Sequence, residues 1–189
     1  ASLLGTAKVL NQLKGEFAGT ILLIFQLGEE RIPGGAHLML EDGLFRDYTP
    51  DFIIGQHVYP ELPAGEIGMR PGPYMASADE IYITVKSTGG HAALPYNTVD
   101  TVLMASQIVV SLQQIVSRNC PPQIPSVLTF GRIEGLGATN VIPDKVTLQG
   151  TFRTMNEPWR STAHERILAQ SKLLVESFGG AIDVEIRKG

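Results

Sequence analysis

From residue 79 onward the hydrophobic pattern changes period in an order that few folds can satisfy. "DEIYITVKS" alternates polar and apolar residues, as a half-buried strand does. "TVDTVLMASQIVVSLQQIVS" (98–117) then sets Val99, Val102, Ile108 (or Val109), Leu112 and Val116 at helical spacing. "PSVLTFGRIEG" and "DKVTLQGTFRT" read as two further strands joined by a Gly-rich loop. "EPWRSTAHERILAQSKLLVESF" predicts a second helix, with Asn156 as N-cap, Pro158 in the first turn and Gly179-Gly180 as the stop. "AIDVEIRKG" closes the series as a strand. The order β-α-β-β-α-β is the split βαβ, or ferredoxin-like, arrangement, a four-stranded antiparallel sheet with both helices on one face.

The upstream part follows another rule. Leu3, Ala7, Leu10 and Leu13 share one face of a helix over 2–14. "TILLIFQ" (20–26) is a short apolar run of buried-strand type, "AHLMLEDGLF" a short helix closed near Gly43, and "DFIIGQHV" (51–58) a second apolar strand. Strand, loop, helix, strand predicts a βαβ unit with parallel pairing. Ligands of such sheets gather beyond the carboxyl ends of the strands, where Glu29, Glu30 and His57 fall. "YPELPAGEIGMRPGPYMASA" (59–78) is rich in Pro and Gly and has no sustained period, so two α/β domains are expected, 1–76 and 77–189.

Charge and cysteine content narrow the function. Of 189 residues 43% are hydrophobic and 18% charged, the balance of a soluble globular protein. A net charge of −4 with scattered Lys and Arg offers no basic face to nucleic acid or to anionic lipid. The single cysteine, Cys120, excludes an internal disulfide framework and a CxxC zinc cluster, and its place before Pro121-Pro122 suits a structural role. The longest apolar run, "TILLIF", is too short to span a bilayer, and no charged segment leads into an apolar one at the start. A cytoplasmic location is expected. The chain opens without Met and already in helical pattern, as a sequence entered in the middle does.

Three features could carry chemistry. Glu29-Glu30 is either a solvated acidic turn or a functional pair, because neighbouring residues point in different directions. One carboxylate can then bind a divalent ion while the other faces the water that the ion activates. His57 ends an apolar run, where its partner is a metal or, more commonly, a backbone carbonyl. His91 stands in "STGGHAALP" between two glycines and two alanines, with no carboxylate, cysteine or second histidine close in sequence. By itself it reads as a solvated loop histidine.

Taken in order, "FQLGEE", "GAHLMLEDGLF", "GQHVYP", "RPGPYMASADEIYITVK", "GGHAALP", "VSRN", "ATNVIPD" and "GTFRT" form a longer signature. With them the chain resembles the dimetal amidohydrolases of the aminoacylase and carboxypeptidase group (metallopeptidase family twenty). The resemblance is strongest to the branch of hippurate hydrolases and indole-acetyl-amino-acid hydrolases. It implies a partial zinc-peptidase-like catalytic domain on a parallel sheet, then a lid and dimerisation domain. It implies Glu29 as general base, Glu30 and His57 as metal ligands, and His91 as a donor reaching into the partner subunit of a homodimer to stabilise the oxyanion. Asn140 and Arg153 match substrate-binding positions, with Arg153 suited to a free carboxylate. Two divalent ions (Zn, Mn, Co or Ni) and an N-acyl amino acid or small peptide substrate follow from the same likeness. Without it, Arg153 reads as a surface arginine beside an acidic neighbour and Asn140 as a turn former.

The chain departs from the family pattern in three ways. The first metal-binding motif, of His-x-Asp type, and the later part of the catalytic domain are absent, and Leu27-Gly28 replaces the usual proline before the Glu pair. Two ligands are too few for a tight dimetal site, so the chain alone is expected to be inactive. The rival reading is a non-catalytic α/β module for dimerisation or ligand sensing, which has no need of Glu29, Glu30 and His57 together.

Overall fold

The structure, a computed structural model, describes residues 1–29 and 32–189. The chain divides into two compact units, Ala1–Ile53 and Ile54–Gly189. In the first, helix α1 (Ser2–Gln12) turns Leu3, Ala7 and Leu10 to its less exposed side, although none of its residues is fully buried. Helix α2 (Gly35–Glu41) ends at Asp42, and Gly43 follows at φ +89°, the stop read from the sequence.

Among the described residues the expected parallel βαβ unit is not seen. Neither "TILLIFQ" nor "DFIIGQHV" is a strand; the second is exposed throughout and the first has only Leu23 and Ile24 half-buried, with Ile21 48% and Phe52 89% accessible. A parallel strand is held by ladder bonds to neighbours and by helices over both faces. Among the described residues these two segments have no strand beside them. Extended apolar chain without a ladder has nothing to pack on.

The second unit matches the downstream pattern. Its strands are β1 (Asp79–Lys86), β2 (Gly90–His91), β3 (Ser126–Gly135), β4 (Val141–Ile142), β5 (Lys145–Thr154) and β6 (Ala181–Arg187). Helix α3 (Thr101–Ser111) lies between β2 and β3, and helix α4 (Glu157–Ser177) between β5 and β6. The main sheet has the order β3-β5-β1-β6 with every pairing antiparallel, while β2 and β4 form a small second sheet. An extra residue, Gly131, bulges the edge strand β3 between Phe130 and Arg132.

Alternation along β1 and β5 builds the core. Ile81, Ile83 and Val85 of β1 and Val146, Leu148 and Phe152 of β5 are essentially inaccessible. They meet Met104, Ala105, Ile108 and Leu112 from the α3 side and Trp159, Ala163, Ile167 and Val175 of α4 in one cluster, so both helices cover the same sheet face. The caps explain the helix starts. The Asp100 carboxylate accepts the N–H groups of Val102 (2.9 Å) and Leu103 (3.0 Å), and the Asn156 amide oxygen accepts that of Trp159 (2.9 Å). The buried stripe of α3 runs through Thr101, Met104, Ala105 and Ile108, so Val102, expected on the core face, lies off it at 45% exposure. Cys120 follows a π-helical turn (Ile115–Asn119), with its Sγ 3.3 Å from Ile124 O and 3.4 Å from Ser126 Oγ.

One polar group breaks the apolar series. Asp79 shares the buried parity of Ile81 and Ile83 and is itself inaccessible. Its carboxylate is gripped by the Arg160 guanidinium through Nε (2.9 Å) and Nη2, and lies 2.7 Å from His164 Nε2. The Gly189 N–H adds a longer bond at 3.3 Å, and Arg160 Nη2 donates to Gly189 O at 2.8 Å. The cluster therefore ties the start of β1, the first turns of α4 and the residues after β6. Burial pushes the Asp79 carboxyl up, but the Arg160 and His164 hydrogen bonds and charges outweigh it and hold the carboxyl below its ordinary range.

A carboxylate depressed in the folded state contributes stability above its unfolded pKa and loses it as pH falls through the lower folded value. Urea unfolding followed against pH should therefore show the Asp79 contribution intact at neutral pH and disappearing only below about pH 4. Arg160→Met, which leaves the buried carboxylate with only His164 and the Gly189 N–H, should lower stability at neutral pH by up to about 3–5 kcal/mol.

Candidate active site

The turn that holds His91 is fastened on three sides. The Ser87 N–H donates to Asp144 O (2.9 Å), and the Ser87 hydroxyl donates to Val99 O (2.5 Å) while accepting the Gly89 N–H (3.2 Å). Gly89 has φ +55°, and a Cβ there would lie 2.7 Å from Ile142 O. Gly90 has φ +143°, and a Cβ there would run into Thr98 Cγ2. The two glycines are thus required by backbone sign and by space. They let β2 reach β4, where Gly90 pairs with Ile142 and His91 with Val141.

Asn140 belongs to the same construction. Its carbonyl accepts the Ala92 N–H at 2.9 Å, so His91 and Asn140 sit on adjoining backbone, and both are exposed. The His91 ring accepts the Ala93 N–H on Nδ1 at 3.1 Å. A neutral imidazole that accepts on Nδ1 carries its proton on Nε2, which leaves an outward N–H donor. The bare neighbours that make His91 look idle in the sequence also leave that donor unobstructed.

Arg153 lies elsewhere. It is exposed near the end of β5, between buried Phe152 and Thr154, and opposite Val127 of β3. Among the described residues it has no ion-pair partner, so the acidic neighbour that would make it an ordinary surface arginine is not found. The ladder places Lys86 opposite Lys145 and Asp79 opposite Phe152. His91 and Asn140 are therefore beyond one end of the sheet and Arg153 is at the other.

In the first unit, Glu29 is exposed in the turn after Gly28, which has φ +55°. A Cβ on Gly35, the buried first residue of α2, would collide with Leu27 O, so the glycine allows helix and turn to approach. In the second unit, His57 is exposed and its Nδ1 donates to the Val58 carbonyl at 2.7 Å, the commoner of the two partners weighed for it. Glu30 lies outside the described residues. Among the described residues no group of three His, Cys, Asp or Glu side chains is arranged to hold a metal ion, so by themselves they do not fit a dimetal centre.

The Asp79, Arg160 and His164 cluster escaped the sequence reading. Its signal was present: Asp79 stands in phase with Ile81, Ile83 and Val85, and a carboxylate on the buried parity needs partners. Arg160 and His164, four apart on α4, are within reach of one carboxylate on that helix face.

Comparison with known proteins gives consistent results. A profile described as peptidase family M20/M25/M40 matches residues 1–188. An N-acyl-L-amino acid amidohydrolase of Geobacillus stearothermophilus is 38% identical over 189 residues, 100% of this chain and 50% of the relative. An N-acetylcysteine deacetylase of Bacillus subtilis is 38% identical over 179 residues, 95% of this chain and 46% of the relative. The crystal structure of the Bacillus subtilis YXEP protein, described as a dinuclear metal binding peptidase from the M20 family, superposes with a TM-score of 0.72. It has 31% identity and covers 99% of this chain and 46% of that one. The chain spans about half the length of the curated relatives it matches. No helix among the described residues is long and apolar enough to cross a membrane.

Gly89→Ala should cost about 1–2 kcal/mol in urea unfolding from the left-handed backbone alone. Because the change is local, the His91 imidazole resonances should shift while the fluorescence of the single tryptophan, Trp159 in the core, stays as in the wild type.

Proposed function

The chain belongs to peptidase family M20/M25/M40, and on that premise we propose that the enzyme it forms part of hydrolyses the amide bond of N-acyl amino acids or small peptides. The observation that carries this reading is the His91 turn. Two glycines and a serine are committed to presenting one imidazole with Nδ1 occupied and Nε2–H outward. Amide hydrolysis builds negative charge on the carbonyl oxygen, and a donor aimed there supplies roughly 3–4 kcal/mol. A loop histidine with no task does not require such a turn.

Within this reading residues 1–76 are part of a catalytic domain and 77–189 are a lid and dimerisation domain. Glu29 is the general base that takes a proton from the attacking water and returns it to the departing amine. Glu30 and His57 belong to the ligand set of two divalent ions (Zn, Mn, Co or Ni), the remaining ligands coming from the rest of the enzyme. Arg153 pairs with the free carboxylate of the substrate and Asn140 binds its amide portion. The functional unit is a homodimer in which His91 acts in the active site of the partner.

The β3 edge suits that dimer. Edge strand β3 carries exposed Val127 and Ile133, and its Phe130–Ile133 stretch borders Val109 and the exposed Val110 of α3. The opposite edge, β6, displays Asp183, Glu185 and Arg187, charges of the kind that block edge pairing.

The test is hydrolysis of a panel of N-acyl amino acids by the full-length enzyme. Glu29→Gln should lower kcat by about 10²–10⁴-fold. His91→Ala should lower it by about 10²–10³-fold. A chelator should abolish turnover and added divalent metal restore it. Turnover indifferent to both chelator and Glu29→Gln would instead favour the non-catalytic module.

A further inference from the structure

Beside His91 the small sheet carries an uncharged row on one face. His91 lies directly opposite Val141 in the β2–β4 pair, and directly opposed residues of an antiparallel pair share a face. Val141 in turn exchanges both backbone bonds with Ala138, at 3.1 Å each, so Ala138 joins that face. The glycines before it decide where Leu136 points. A Cβ on Gly135 would lie 3.4 Å from Pro143 Cγ and one on Gly137 2.9 Å from Pro143 Cδ, so both glycines turn toward that proline. The residue between them turns away, to the side of Ala138, and Leu136 is 89% exposed there. Val141 is 45% exposed, and no residue from Gly135 to Pro143 is charged. A single exposed leucine is ordinary on a protein surface. This one is held between two glycines packed against Pro143, in a row that ends on the outward Nε2–H of His91.

In the reading above that N–H meets the oxygen of the scissile carbonyl, and the acyl chain starts from the same carbonyl carbon. Resting on that reading, we propose that Val141, Ala138 and Leu136 form an acyl-binding stripe that selects straight-chain acyl groups of about eight to ten carbons. The length follows from the ladder. Two strand spacings separate His91 from Ala138, about 10 Å, and Leu136 is two residues farther along, so the row is roughly 12 Å long. An extended chain advances about 1.2 Å per bond, so an acyl group of eight to ten carbons reaches about 8–11 Å from its carbonyl. The leucine side chain spans the remainder. An acetyl group ends beside His91, and a butanoyl group, at about 4 Å, ends over Val141. Full burial of a methylene favours binding about fourfold, and contact on one side, at half that free energy, about twofold. The ladder bonds make the stripe and His91 one piece, so Leu136 enters whichever active site His91 enters.

The test is kcat/KM of the full-length enzyme on acetyl, butanoyl, hexanoyl, octanoyl, decanoyl and dodecanoyl derivatives of one amino acid, the one turned over best in the panel above. The wild type should gain about twofold per methylene as far as the octanoyl or decanoyl chain and then level off. Leu136→Ala should lower the ratio of decanoyl to butanoyl turnover by about 4–10-fold, and Leu136→Met, which restores an apolar side chain of similar length, should return most of it. Val141→Ala should act nearer the carbonyl and lower the ratio of butanoyl to acetyl by about twofold. A wild-type enzyme that prefers the acetyl derivative overturns the proposal, and so does a Leu136→Ala profile that matches the wild type. An equal fall at every chain length in Leu136→Ala also overturns it, because the leucine then packs on protein and not on the acyl chain. If no derivative of any length is hydrolysed, the amide-hydrolase reading itself is wrong and the stripe falls with it.

Discussion

The antiparallel ladder between β1 and β5 is the constraint from which the rest of the second unit follows. Eight consecutive pairs, from Asp79 with Phe152 to Lys86 with Lys145, fix these strands in the middle of the sheet. Being central, they bury one face completely, and α3 and α4 close over it. Their register also decides what stands at each end. The turn after Lys86 and the loop before Lys145 must meet, and they do so as the β2–β4 pair that carries His91 beside Asn140. At the other end the same register puts Asp79 under α4 and Arg153 in the open. A slip of one residue would turn every one of these side chains to the wrong face.

The elements legible in the sequence are those whose stability is local or periodic. Helix α4 was readable to its ends because Asn156 caps it, Pro158 fits its first turn and Gly179 takes φ +82° after it. Strands β1 and β5 were readable because their alternation matches burial on a single face. The runs at 20–26 and 51–58 form no ladder among the described residues for a physical reason. An apolar run reports the wish to be buried, and a parallel strand needs neighbours supplied by distant chain. Val102 shows the same limit at small scale. Periodicity alone included it in the core stripe, but the buried face of α3 runs through Thr101, Met104, Ala105 and Ile108 and leaves it out.

Site residues are a harder case, since chemistry depends on orientation and sequence gives identity. His91 was noticed because its neighbours are bare, yet its value as a donor comes from the Ala93 N–H on Nδ1, a bond two residues away that no pattern announces. The Asp79 cluster was missed although its parity was visible, because an acidic residue at a strand start passes for a solvated end. Its partners come from α4, 81 and 85 residues on. Proximity of that kind is made by the fold.

Glycine placement connects the two parts of the chain at the level of principle. Gly35 allows the backbone of α2 to approach Leu27 beside the Glu29 turn, and Gly89 and Gly90 allow the His91 turn to approach Ile142 and Thr98. In each case a catalytic candidate stands in an exposed turn whose backbone is pressed against a neighbouring element. Exposure gives the side chain access to a substrate, and the close approach removes the freedom that an exposed turn would otherwise have. A reacting group must be both reachable and fixed, because a misplacement of about 1 Å can cost two orders of magnitude in rate. A residue larger than glycine at these positions would preserve reach and lose fixation.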